Sequence, residues 1–381
     1  MTGVFAFPAL MPTFLADWRL SNAEAGWIAG IYFGAYALSV PVLVALTDRV
    51  DARWIYVTGA LLAATASTGF ALFANGFWQA LILRAVAGAG LAATYMPGLR
   101  VLVDRYRGPH ASRAVSLYTA SFSLGTALSF LAAGAIEAVA DWRWVFAASA
   151  LAAAAAALMV LPLGAAAPKR EDTPRRLLDF RPVFANRAAM GYILGYGVHC
   201  WELFTFRSWT VALLAFSLTV QASGSGPALL APTTVATISA VVAMAASIFG
   251  NELCLRYGRR RVIQWVMVAS AAMAFGLGFT TPLAYGIVVV LTLVYSAVVQ
   301  LDSAALTAGA VHAAEPGRQG STMAVHSLIG FGCGFVGPLV LGWILDVSGG
   351  GVSSLSWGLA FASVGVVGLL GPLVMRMTPK R

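Results

Sequence analysis

Charge is scarce in this chain. Of its 381 residues only 10% are Asp, Glu, Lys or Arg, where a water-soluble domain carries about 25%. That shortage excludes an ordinary soluble domain. Cysteine is nearly absent, and Cys200, Cys254 and Cys333 each stand alone in or beside apolar runs. They build neither a disulfide framework nor a metal-ligand spacing, and read as small packing residues. The sequence has no HExxH, no CxxC and no ATP-binding signature. Gly330, Gly332, Gly334 and Gly337 surround Phe331 without a preceding strand, so they indicate close helix contact rather than a phosphate loop. These absences argue against a membrane metalloprotease and a primary pump. They also argue against an enzyme in general, because no nucleophile–base set stands at convincing spacing. No cofactor and no metal are called for. The strict alternation of an outer-membrane barrel is missing as well.

What is present is apolar surface: 60% of residues are hydrophobic. They come in runs such as 57–73 and 144–163, long enough to cross about 30 Å of hydrocarbon as helices. Glycine is plentiful within them, which suits close helix approach in lipid. The fold class expected is all-α, polytopic, with twelve membrane helices in two six-helix halves. The spans are drawn at 2–16, 24–46, 53–74, 77–101, 111–137, 143–162, 187–219, 227–252, 260–280, 283–311, 320–345 and 353–375. The first begins almost at Met1 with no basic stretch before it, so it reads as a membrane helix rather than a cleaved leader. Its shortness fits a start codon upstream of Met1. The seventh is too long for a straight crossing and calls for a kink or a tilt.

The basic residues fix the orientation. With the N-terminus in the cytoplasm, 20 of the 24 Lys and Arg fall on the cytoplasmic side. Arg19 and Arg143 lie on the other side, and Arg84 and Arg207 lie inside spans. This bias accounts for the net charge of +9 without nucleic acid. It predicts a multi-pass protein of a bacterial inner membrane, with both termini cytoplasmic and lipid as its surroundings. The longest hydrophilic stretch, 165–186, divides the chain into domains 1–164 and 187–381 and reads as a cytoplasmic linker.

The two halves carry traces of duplication. Leu46, Arg49 and Arg53 after the second span match Leu253, Arg256 and Arg260 after the eighth. Segment 111–129 lies over 320–338, with Ser112 on Ser321, Phe122 on Phe331 and Gly125 on Gly334. On these residues the chain resembles the major facilitator superfamily, over nearly its whole length. The family's loop after helix two reads G-x-L-x-D-R-x-G-R-R. Leu46, Asp48, Arg49 and Arg53 match it, whereas Val44, Asp51 and Ala52 depart from it. The copy at 251–260 keeps Gly258, Arg259 and Arg260 but has Leu255 in the Asp position. Arg84 and the small residues after it resemble the family's helix four. The resemblance implies a carrier whose halves rock about a central site lined by helices one, four, seven and ten. It implies a cytoplasmic gate at Asp48, Arg49, Arg53, Arg256, Arg259 and Arg260, with topogenic and capping charge as the plainer alternative.

Ionisable groups inside a membrane are costly and so mark function or structural pairing. Here they are Arg84 in span four, His199, Glu202 and Arg207 in span seven, and Asp302 in span ten. With Trp201 they form the expected substrate or proton path. His199 and Glu202 share a helix face, while Arg207 is about 140° round from Glu202. Glu202 can exchange protons or sit ionised against Arg207 or Arg84. Asp302 is a second coupling site, a gate, or the cap of a broken helix. His326 is expected at the cytoplasmic interface. The reading is a secondary active transporter of a small organic solute, expected as a monomer, with protons as the default coupling ion and an organic anion slightly favoured. A proton-driven multidrug antiporter and a non-transporting receptor with a carrier fold stay open.

Overall fold

In a computed structural model the chain is all α. The structure describes residues 1–106, 111–165, 179–221 and 230–379, except the side chains of 111–113, 115, 116, 119 and 120. Most of the expected linker therefore lies outside the described residues. The helices are α1 (Ala6–Ala9), α2 (Met11–Asp17), α3 (Asn22–Leu46), α4 (Ala52–Phe73), α5 (Phe77–Arg105), α6 (Ala111–Glu137), α7 (Arg143–Val160) and α8 (Arg181–Ala185). They continue as α9 (Arg187–Gln221), α10 (Pro232–Tyr257), α11 (Arg259–Leu277), α12 (Tyr285–Gln300), α13 (Ser303–Ala313), α14 (Gln319–Val347), α15 (Ser354–Gly368) and α16 (Leu370–Val374).

Local chemistry sets their starts. Ser21 and Glu24 form a reciprocal capping box at the head of α3, each side chain bonding the other's backbone N–H. Asp51 caps α4 by accepting from the Arg53 amide at 2.9 Å. Proline opens α2 and α10, where a missing N–H costs nothing. Gly258 ends α10 at φ 92°, a conformation that a side chain would strain.

Ten helical stretches among the described residues are long and apolar enough to cross a membrane. Span one differs from expectation, being two short helices that meet at Leu10. α6 covers the expected fifth span, Ala111–Glu137, in which Ser121–Glu137 is apolar among the fully described residues. Span ten is broken between α12 and α13, at Leu301–Asp302. Span seven, expected to kink or tilt, is one unbroken helix of 35 residues, α9. Large apolar side chains point outward, among them Leu38, Phe73, Trp78, Trp144, Leu151, Met159, Trp265 and Trp343. Such a surface needs lipid around it, since water leaves patches of this extent unstable. The protein is thus an all-α, multi-pass membrane protein.

The helices pack as a first set, in which α3, α4, α5 and α7 cross one another, and a second set built on α9 with α10–α15. The sets meet where α3 lies on α14, where α6 lies on α10, and where α1 touches α9. At the α3–α14 seam the backbones nearly touch. A Cβ on Gly26 would meet the Pro338 carbonyl at 2.5 Å, and one on Gly30 would strike that of Phe335. Such close approach is the use of small residues in membrane helix pairs. The same end is clamped by polar contacts. Asp346, near the end of α14, accepts from the backbone N–H of Asn22 (2.9 Å) and Ala23 (2.8 Å) and from the Asn22 side chain (2.8 Å). A carboxylate from the second set thereby completes the N-terminus of α3, where helix partial charge is positive. The opposite, arginine-rich end carries the loops after α3 and α10. Among the described residues no ion pair joins the two sets there.

Candidate functional site

The expected intramembrane charges converge on α9. In its most apolar window 72% of residues are buried, against at most 56% in any other span. Shielding from lipid is what lets one helix hold His199, Glu202 and Arg207. The structure then separates these three.

Glu202 is 3% exposed. Its carboxylate accepts from the Tyr295 hydroxyl of α12 at 2.8 Å and from the Ser270 hydroxyl of α11 at 3.0 Å. Gly368 of α15 lies beside it, with room for a Cβ only at ordinary contact, 3.7 Å from Oε2. Glu202 thus faces the interior of the second set. It pairs with neither Arg207 nor Arg84, which settles that alternative: its partners are neutral hydroxyls, and sequence spacing gave no sign of them.

His199 and Asp302 form the second centre. Each is 2% exposed, and Nδ1 of His199 lies 2.8 Å from Oδ1 of Asp302. The approach is an ion-pair distance off the line of a hydrogen bond, leaving both ring nitrogens and that oxygen without a hydrogen-bond partner. Asp302 stands at the N-cap of α13, as a broken helix requires, yet its side chain makes no capping bond. The cap reading accounts for its place in the chain and not for its carboxylate. The ring of Tyr196 lies between two histidines, 5.7 Å from His199 and 3.8 Å from His326. His326 is buried, not at the interface as expected. Trp201 is half-buried on α9, and its indole N–H has no partner.

Arg207 points elsewhere. Its guanidinium is directed toward the seam, 5.9 Å from the Phe5 ring of the first set. Its one hydrogen bond is a long one, 3.4 Å to Oε1 of Gln300. Arg84, the buried charge of the first set, is better served, although its Nε–H is buried without a partner. It donates to the carbonyls of Gly3 (2.9 Å) and Val4 (2.8 Å), and its guanidinium lies 4.2 Å from the Tyr32 ring. It also lines a cavity of about 50 Å³ with Met1, Tyr32, Ser67 and Ser149.

The gate residues do not meet across the sets. Asp48 faces Arg100 at 3.6 Å, and Arg53 donates to the Leu163 carbonyl. Asp51, a departure from the family loop, binds Arg105 through both oxygens at 2.8 and 2.9 Å. Arg105 in turn donates to the Gly164 carbonyl. This network ties α3, α4, α5 and the end of α7 together. In the second set Arg260 donates to the Thr378 carbonyl at 3.0 Å, and Arg256 lies over the Tyr257 ring. Arg49 and Arg259 make no contact with the other loop. Each loop braces its own set.

An all-α bundle of two packed sets, with three of its buried ionisable groups on α9, defines the class: a polytopic membrane protein. The profile of the Major Facilitator Superfamily matches residues 1–232, and the chain belongs to that family. Among curated relatives, the niacin transporter NiaP of Acinetobacter baylyi is 30% identical over 146 residues, 38% of this chain and 32% of that protein. The match to this relative thus spans about a third of its length. Among solved structures, a bacterial homologue of the human lysosomal transporter Spinster, inward-facing and occupied, superposes with a TM-score of 0.75 at 15% identity, covering 98% of this chain and 92% of that one. A D-xylose–proton symporter does so with a TM-score of 0.73 at 14% identity, covering 100% and 94%. At these identities the structures share the fold.

Proposed function

We propose that the protein is a secondary active transporter that carries a small organic solute by alternating access and is coupled to protons. The two sets are its moving bodies, six helices each over 1–164 and 187–381, with 165–186 as the cytoplasmic linker. It sits as a monomer in a bacterial inner membrane with both termini in the cytoplasm. One observation carries the reading. Two packed sets meet along a seam closed at one end by the Asn22–Asp346 clamp, and the helix that bears the buried ionisable groups touches both sets. A clamp made of charge-assisted hydrogen bonds at a water-facing end can break and re-form with little net cost. The relative that transports niacin and the symporter that moves protons support the same assignment.

Glu202 is the proposed proton carrier. It has no cation beside it, so gaining a proton neutralises it without rupturing an ion pair. Tyr295 and Ser270 hold it in either state, because a hydroxyl can donate or accept. His199 and Asp302 act as a second relay, and Asp48, Arg49, Arg53, Arg256, Arg259 and Arg260 shape the cytoplasmic mouth.

The test is flux into liposomes holding an internal pH dye, with pools of anions, sugars, amino acids and lipophilic cations, repeated with Glu202→Gln. Solute-dependent proton flux that vanishes in E202Q supports the reading. Flux unchanged in E202Q removes Glu202 from the role and leaves the carrier. Absence of flux with every pool, from folded protein, refutes transport and favours a receptor.

A further inference from the structure

Arg207 presents a problem in charge balance. It is 6% exposed, and among the described residues no carboxylate lies within ion-pair distance of it. The two buried acids of the second set are already engaged, Glu202 by hydroxyls and Asp302 by His199. A buried guanidinium held by one long hydrogen bond and an aromatic face is poorly served. A chain keeps such a group where something else completes it.

The surroundings show what would. Arg207 lines a narrow gap, with about 10 Å³ of free space as the seam stands here, together with Phe206, Thr210, Ser239, Ser296 and, from α6 of the first set, Phe130. Most hydroxyls there are committed. Thr210 donates to the Phe206 carbonyl at 2.6 Å, and Ser296 donates to the Ser239 carbonyl at 2.9 Å. The Ser239 hydroxyl is the exception: 5% exposed as a residue, it has no hydrogen-bond partner. A planar fork of donors and one free hydroxyl, set in apolar walls, match a carboxylate. As the seam stands, the gap offers about the room of one water, far below the roughly 300 Å³ at which whole-ligand pockets begin, so a carboxylate enters as α6 parts from α10. A site this narrow suits the charged group of a small solute rather than a large amphipathic drug.

We propose that Arg207 and Ser239 bind the carboxylate of the transported solute, which makes the substrate class a small organic acid. This rests on the transporter reading for the word transported and on geometry for the site. Because Phe130 forms one wall and α9 and α10 form the others, the site lies in the seam between the sets. Separation of α6 from α10 opens it, and closure seals the acid against Arg207.

Binding is measured on purified full-length protein in nanodiscs, by quenching of tryptophan fluorescence with Trp209 two residues away. The probes are benzoate and nicotinate, each against its uncharged amide. Saturable quenching by the acids but not the amides is expected. Arg207→Gln should weaken it at least about tenfold and Ser239→Ala about threefold to tenfold, with Arg207→Lys in between. S239A removes a single unbonded oxygen, so it reports on the site even if R207Q folds poorly. Equal binding of acids and amides overturns the proposal. So do acid binding unchanged in S239A and R207K, and no acid binding by wild type. The two readings fail separately. Proton-coupled flux of a neutral solute without acid binding ends the anion site and spares the carrier. Acid binding that needs Arg207, without flux of any solute, does the reverse.

Discussion

Counting His, Asp, Glu and Arg among the described residues, the first set buries one and the second buries five, and the two sets treat them differently. Arg84 is tied to two backbone carbonyls and an aromatic ring, so its charge serves to hold residues 3–4 against α5. In the second set, Glu202, His199, Asp302 and Arg207 each keep an incomplete shell or one made of neutral groups. On the proposed reading, the more fully held charge marks the first set as the frame, and the less complete shells, with room for a proton or a solute, make the second the holder of the working groups.

This contrast can be broken by substitution. The largest effect is expected from Asp302→Ala, which leaves His199 buried beside no acid and should cost roughly 3–5 kcal/mol. Denaturant unfolding of D302A, H199A and the double variant checks it: the double should cost less than the sum of the singles. Additive costs would mean that the pair is proximity alone. Next is Arg84→Ala, which strands the Gly3 and Val4 carbonyls and should cost about 2–4 kcal/mol. Arg207→Gln removes a poorly served charge and should cost less than R84A or even stabilise the protein. If thermal unfolding ranks these two arginines the other way, the division between frame and working groups is wrong. Asp51→Ala loses a cap and a mostly buried bidentate ion pair and should cost about 2 kcal/mol by denaturant unfolding, with flux retained. Tyr295→Phe should cost only about 1 kcal/mol, yet slow proton-coupled flux, because Glu202 keeps Ser270.

Much of this was legible in the sequence. Apolar length located the spans because twenty apolar residues have few alternatives to crossing lipid. Rarity singled out Arg84, His199, Glu202, Arg207 and Asp302, since a buried charge is too expensive to be incidental. What spacing could not supply was the partner across the bundle. Tyr295 and Ser270 look like any hydroxyl in an apolar run until α11 and α12 are placed around α9. Arg207 stands five residues from Glu202, on another face, and only the seam explains where it points. Asp51 counted as a defect in a motif, whereas it caps α4 and binds Arg105. The unbroken α9 also had no signal, because a long apolar run reads alike whether it bends or extends beyond the membrane.

The start of α3 is finished by a residue 324 positions away, Asp346. The Ser21–Glu24 capping box is the helix's own, whereas the N–H groups of Asn22 and Ala23 are completed from the other set. Those two amide protons are shielded from solvent while the clamped end is shut and are released each time it parts. Their exchange with deuterium counts those openings, so two backbone positions time the parting of the seam, readable without any attached label.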